Sequence, residues 1–229
     1  MPHGGLTVLR EVEYDPRTQG LVANPVAELA GLRNASLVSE LDVTVGAGTP
    51  SHLLKGTEGG RALSADIELQ WSLPSASQAS ATFGALLLSA PTSPAAGSNI
   101  SSGVSVSVSV AAAAAADGSR AAELTVGHGA YAMPGRAHVL GVQARQTFTV
   151  LKSETTLAMR LLVDRIIVEA FIQDGRVAYT RSFIPAQWDH SAVHLFAKTA
   201  VQRARPRGCG RWDAAGSATS PQVADEEWR

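Results

Sequence analysis

The stretch Leu161-Leu-Val-Asp-Arg-Ile-Ile-Val-Glu-Ala-Phe-Ile-Gln-Asp-Gly-Arg176 carries the densest structural signal in the chain. Met159, Leu161 and Val163 alternate, Asp164-Arg165 interrupts, and 166–172 resumes as an almost wholly apolar run. Gln173-Asp174-Gly175 supplies a turn, and 176–184 leads on to Pro185. Alternation, break and apolar run together predict a three-strand antiparallel meander over 157–184. The run without alternation predicts a central strand covered on both faces.

Outward from the meander, strand-like runs at 37–45, 62–73, 81–88, 104–110 and 121–126 are short and separated by Gly, Ser and Pro. Many short strands punctuated by turn residues indicate a sandwich or barrel. Val104-Ser-Val-Ser-Val-Ser-Val110 puts four valines on one face and three serines on the other, so one buried and one wet face are expected. The alanines at 111–116 read as strand continuation or hairpin loop before the Asp117-Gly118 turn, and 90–103 reads as a loop.

At the N-terminal side, 6–14 reads as a strand closed by a turn at Asp15-Pro16 and Gly20. A short helix is expected next. Asn24 would cap it, Pro25 would take its first position, Glu28 would sit near its positive end, and Val26, Leu29 and Ala30 would share a face. Two turns are too few to stand alone, so such a helix has to dock. Beyond Thr199, Arg203, Arg205, Arg207 and Arg211 lie among Pro and Gly, and the pattern fades. Residues 200–229 are expected to form a disordered or divergent tail. The expected fold is thus all-β: an antiparallel sandwich of two packed sheets, jelly-roll or concanavalin-like, over 1–199 with one short N-terminal helix.

Composition removes several function classes. With 229 residues, 45% of them hydrophobic, the chain can bury a sizeable core. A net charge of -1, from 19 basic and 20 acidic side chains, gives no field that would gather nucleic acid or an anionic membrane. The single cysteine, Cys209, excludes an internal disulfide and a cysteine-built metal site. Met1 to Gly5 have neither a basic n-region nor an apolar h-region, so no export signal is expected in the sequence as written, and no stretch approaches the ~20 apolar residues of a membrane-spanning helix.

The quoted stretch, with its apolar pair, Val-Asp-Arg, Val-Glu-x-Phe and Gly-Arg turn, resembles the C-terminal β-sandwich domain of glycoside hydrolase family 32, the invertase and fructan hydrolase family. Gly5-Leu-Thr-Val-Leu-Arg-Glu11 is similar to the strand leaving the family's interdomain linker. Leu21-Val-Ala-Asn-Pro-Val-Ala-Glu-Leu-Ala-Gly-Leu-Arg33 is similar to its Pro-Val-x-Glu-Leu-x-x-Leu-Arg helix. Leu9, Asn24 and Ile166 depart from the family's usual residues. The resemblance implies a retaining hydrolysis of fructosyl bonds by two carboxylates in an N-terminal propeller, as general glycosidase chemistry requires. The family's Asn-Asp-Pro-Asn-Gly, Arg-Asp-Pro and Glu-Cys strings do not occur in this sequence. It therefore implies a non-catalytic module with no cofactor, whose partner is the β-propeller catalytic domain. Contact between two copies stays open, sucrose or fructan would be met only through the complete enzyme, and an extracellular or vacuolar setting is implied.

Asp164, Glu169 and Asp174 are the tempting acids for general acid/base work. Read as strand and junction residues, Asp164, Arg165, Glu169 and Arg176 instead have structural or interdomain roles, with Arg165 or Arg176 the expected partner of Glu169. No catalytic residue is assigned. His190 and His194 are four apart, yet without a third ligand nearby no metal site is assigned. Asn34-Ala-Ser36 and Asn99-Ile-Ser101 are glycosylation sequons, with Asn99 the better placed because Asn34 follows the expected docked helix. Two rival readings are a stand-alone lectin-like sandwich, disfavoured by an aromatic content of 5%, and a truncated gene product without a role of its own.

Overall fold

A computed structural model describes residues 7–38, 40, 42–47, 52–59, 61–75, 80–90, 103–128, 143–183, 190–198 and 202–212. In chain order the elements are β1 (Arg10–Asp15), β2 (Gly20–Pro25), a 3-10 helix η1 (Ala27–Leu32), β3 (Arg33–Ser36), β4 (Val43–Val45), β5 (His52–Leu53), β6 (Ser64–Ser72) and β7 (Ala81–Ser89). They continue with β8 (Val104–Ala114), β9 (Arg120–His128), β10 (Gln143–Val150), β11 (Thr156–Asp164), β12 (Ile167–Ile172), β13 (Val177–Ser182), β14 (Ala192–Ala197) and β15 (Gln202–Trp212).

A six-stranded sheet runs β10-β9-β8-β7-β14-β5 and a seven-stranded sheet runs β13-β12-β11-β6-β15-β3, with β4 also on β15. Every pairing is antiparallel. The two sheets form a sandwich: Ile67, Leu69 and Trp71 of β6 share one core with Phe83, Ala85 and Leu87 of β7. The Trp71 and Phe83 rings, 5.0 Å between centroids, join the layers.

The expected meander is present as β11, β12 and β13, in the register Leu162↔Glu169 and Glu169↔Thr180. β12 is buried on both faces from Val168 to Ile172, as its almost wholly apolar run predicts. The alanines after Val110 continue β8 as a strand to Ala114. In β8 the valines face the core, but Ser105 and Ser107 on the other face are buried too, so that face is not wet there as expected.

Three expectations are corrected. The segment 20–25 is a strand, not a helix start: Asn24 and Pro25 end β2, and the helix begins at Ala27 as a 3-10 turn without a side-chain cap or a buried residue. Pairing with β1 extends this segment, so Pro25 closes a strand instead of opening a helix. Among the described residues of the run 37–45, only β4 is strand. The expected tail contains β15, which pairs with β6, β3 and β4 inside the seven-stranded sheet. Its arginines alternate with the buried Gln202, Ala204 and Pro206, and Pro206 falls at a register shift, where a missing N–H leaves no ladder bond unmade. The rest of that expected tail, 200–201 and 213–229, lies outside the described residues, as do Asn99 and most of the expected loop 90–103.

Candidate functional site

The outer face of the seven-stranded sheet is where the chain gathers its charge. In β6, Ile67 and Leu69 point to the core, which turns Asp66, Glu68 and Gln70 outward by strand parity. Arg160 of β11 pairs with Glu68 across the strands and lies on the same face, as do Glu169 and Phe171 of β12. The N-terminal segment from Val8 to Arg33 lays its polar groups on this face.

Asp66 is fully buried and takes both arginines: Arg160 Nε donates to Oδ1 at 3.0 Å and Nη2 to Oδ2 at 2.8 Å, while Arg33 Nε donates to Oδ2 at 2.7 Å. Glu68 accepts from Arg33 and lies 3.8 Å from Arg160 Nε. Gly210 has no side chain to obstruct the Arg33 stem, whose Cγ lies 3.0 Å from where a Cβ would stand.

Glu169 is 3% exposed and fully used: Val8 N donates to Oε1 at 2.8 Å, and Arg10 Nη2 and Thr180 Oγ1 donate to Oε2 at 2.6 and 2.9 Å. The Arg10 guanidinium also lies 5.1 Å above the Phe171 ring, which favours a cation through the ring quadrupole. The expected partners of Glu169, Arg165 and Arg176, are thus replaced by Arg10. Asp164 ends β11, is exposed and accepts from Ser64 Oγ at 3.1 Å. Arg165 makes the tight turn to β12 at φ 51, its N–H donating to Leu63 O at 2.7 Å.

Arg176 anchors the opposite end of the meander. It donates to Thr149 O at 2.7 Å and to both oxygens of Glu154, at 3.1 and 2.8 Å. Asp15 lies 3.9 Å away. Burial pushes the Glu154 carboxyl up, but hydrogen bonds from Arg176 and the Leu151 N–H outweigh it and hold the group below the usual carboxylate range. A lowered folded value gives stability that is full above about pH 4.3, the unfolded value, and is lost as pH falls through the folded one. Melting curves from pH 7 to pH 3 should therefore show Glu154→Gln less stable than the parent at neutrality, with the gap closing in acid. A gap constant across that range would refute the linkage.

The face is rich in acids yet poor in free ones. Asp164 and Glu169 are diagonal neighbours across β11 and β12, roughly 7–8 Å apart by strand geometry. Glu169, however, lies beneath Arg10 with both oxygens occupied. Asp174 sits beyond the far end of β12, roughly 20 Å from Asp164 at ~3.3 Å per residue. A groove of about 280 Å³ is lined by Asn24, Glu68, Gln70, Arg160, Asp174 and Arg207, among others. Its Glu68 is committed to Arg33 and Arg160, whereas glycosidase chemistry needs one proton-bearing carboxyl and a second free to approach the sugar. The Cys209 thiol is buried, and burial with the nearby Asp66 charge pushes it up to about 12, so it stays protonated and unreactive. His194 is buried with Nε2 3.0 Å from Ala90 O, and burial lowers its pKa, which favours the neutral ring. No group of three metal-ligating side chains occurs among the described residues.

Sequence reading did not find Arg10, Arg33, Asp66, Glu68, Glu154 or Arg160. A signal existed for part of the set: Asp66, Glu68 and Gln70 alternate with Ile67, Leu69 and Trp71, which marks a polar outer face. Nothing local announces their arginine partners.

By its fold the chain is of the two-sheet antiparallel β-sandwich class, with Asp66, Glu68 and Glu169 of its outer face bound into ion pairs. The family model described as "Glycosyl hydrolases family 32 C terminal" matches residues 28–205, more than half of the chain. The chain therefore belongs to glycosyl hydrolase family 32, as its C-terminal domain. Solved structures agree in fold. Fructan 1-exohydrolase IIa from Cichorium intybus superposes with a TM-score of 0.59 at 14% identity, covering 88% of this chain and 41% of that one. For sucrose-6-phosphate hydrolase from Lactobacillus gasseri the values are 0.52, 17%, 89% and 33%. For Aspergillus kawachii β-fructofuranosidase they are 0.57, 12%, 83% and 30%. The chain spans less than half the length of each. No curated protein sequence matches it.

Proposed function

We propose that this chain is the non-catalytic C-terminal module of a β-fructofuranosidase-type hydrolase, packing on and stabilising a catalytic β-propeller. A family 32 C-terminal domain implies an N-terminal catalytic partner. What carries the reading is the match to the C-terminal domain together with outer-face acids already engaged by arginines. The partner's reaction would be hydrolysis of fructosyl bonds in sucrose or fructans. Contact between two copies, and contact with sugar through the complete enzyme, are finer parts of the same proposal. Asp164, Arg165, Glu169 and Arg176 serve structure here: two shape the turn into β12 and two clamp the meander to its surroundings. Asn34, exposed on the edge strand β3, is the sequon whose position supports a glycan, provided the chain is exported.

The lectin-like alternative has less support. A sugar platform needs exposed rings, yet Trp71, Phe83 and Phe171 are buried, and Tyr14 is the single aromatic among the exposed large hydrophobics of the described residues. Fructose release from sucrose and inulin tests the proposal. The purified chain is expected to release none, and release by the chain alone would overturn it.

A further inference from the structure

The large hydrophobic side chains that stand exposed among the described residues all fall in one short stretch: Leu9, Val12, Tyr14, Leu21 and Leu32, with 77, 59, 62, 69 and 55% of their surface exposed. Three of them share a face. β1 and β2 form a two-stranded sheet of their own, in which Val12 pairs with Ala23 and Tyr14 with Leu21. Directly paired residues point to the same side, so Val12, Tyr14, Leu21 and Ala23 make one apolar face, while Glu11, Glu13, Val22 and Asn24 point to the other. Such patterning belongs to a hairpin with one face buried, and an isolated two-stranded hairpin is marginal in water.

The hairpin is nevertheless held in a defined place. Its edge is tied to the β12–β13 turn by Ala23 N donating to Gly175 O at 2.9 Å, and Asn24 Nδ2 donates to Asp174 O at 2.8 Å. Gly175 is required there: its φ is +79, and a Cβ would stand 2.5 Å from Ala23 O. Arg10, at the base of the apolar face, bonds Glu169. These anchors fix the base by polar contacts and leave Val12, Tyr14 and Leu21 uncovered, a presented apolar surface of the kind that marks a partner site.

We infer that the Val12–Tyr14–Leu21 face of the β1–β2 hairpin is the surface on which the N-terminal catalytic domain of the enzyme docks. This rests on the accessory-module reading above and adds the contact surface to it. The match to the family's C-terminal domain begins at residue 28, so the hairpin lies on the upstream side of that domain. The remainder of a family 32 protein precedes its C-terminal domain, and in the solved relatives the part not covered by this chain is 59 to 70% of the length. A large domain therefore joins the sandwich through the segment that carries the uncovered apolar face.

The test titrates the full 229-residue chain with the N-terminal catalytic domains of the chicory, Lactobacillus and Aspergillus enzymes, each prepared without its own C-terminal domain. At least one is expected to bind. The triple variant Val12→Ser, Tyr14→Ser, Leu21→Ser should weaken that binding at least ~100-fold, as loss of several buried apolar side chains implies. The control pair Arg145→Ser and Thr147→Ser, on exposed positions of β10, should leave it unchanged. Because the three hairpin residues are exposed in the free chain, its melting temperature should be the same with and without the triple change. Binding retained by a folded triple variant overturns the hairpin assignment and leaves the accessory-module reading standing. Failure of the folded parent to bind any of the three domains overturns both. Self-association of the chain that the triple variant abolishes also overturns the inference, since the face would then belong to a second copy.

Discussion

Asp66→Ala is expected to lower the unfolding free energy by about 3–5 kcal/mol, the usual cost of removing one partner from a buried ion pair. Asp66 is fully buried and its two oxygens receive three hydrogen bonds, two from Arg160 and one from Arg33. Removing the carboxylate leaves two guanidinium groups on the same face with Glu68 alone between them, and Glu68 is more exposed than Asp66. The damage reaches beyond the pair. Arg33 begins β3, so its release also loosens the edge strand on β15. Urea denaturation of parent and variant measures the loss, and hydrogen exchange should show faster exchange at β3 than at β12. A loss under 1 kcal/mol would mean that the arginines find water as readily as they find Asp66.

Trp71→Ala should cost about the same, about 3–5 kcal/mol, for a different reason. Its ring is fully buried and is the largest side chain in the core, stacked on Phe83 of the opposite sheet. Truncation opens a cavity between two sheets whose ladders cannot collapse into it. Trp71→Phe separates packing from polarity. The indole Nε1 has no hydrogen-bond partner among the described residues, so replacing it with a phenyl ring loses volume but none of the hydrogen bonds seen. The expected cost is about 1–2 kcal/mol, well below that of alanine. Equal losses for the two variants would refute cavity formation as the source of the cost, since the phenyl ring keeps most of the packed volume.

The meander, its turn at 173–175 and the double burial of β12 could be read from residues 157–184 because each signal is local. Period-two alternation sets the faces, and Gly175 marks the backbone position where φ must be positive. The same rules failed at β15 and β2. Proline, glycine and alternating arginines there look like breakers and tail, yet neighbouring strands supply the hydrogen bonds that make them strands. β-propensity is largely a statement about such neighbours, so a strand flanked by partners can carry residues that a free segment would not.

The site divides the same way. Glu169 stood out as an acid in an apolar strand that needed a cation, which is a local inference from desolvation. Its cation is Arg10, 159 positions away, because a segment read as a linker strand lies across the outer face of the sheet. By itself the sequence determined the class of fold, the central meander and the family's C-terminal domain, since these depend on periodicity and short strings. Only the tertiary structure decided which arginine meets which acid, that β15 sits beside β6, and that the hairpin's apolar face is left uncovered. Those outcomes depend on strand order and register between segments far apart in the chain, and side-chain periodicity carries no information about them.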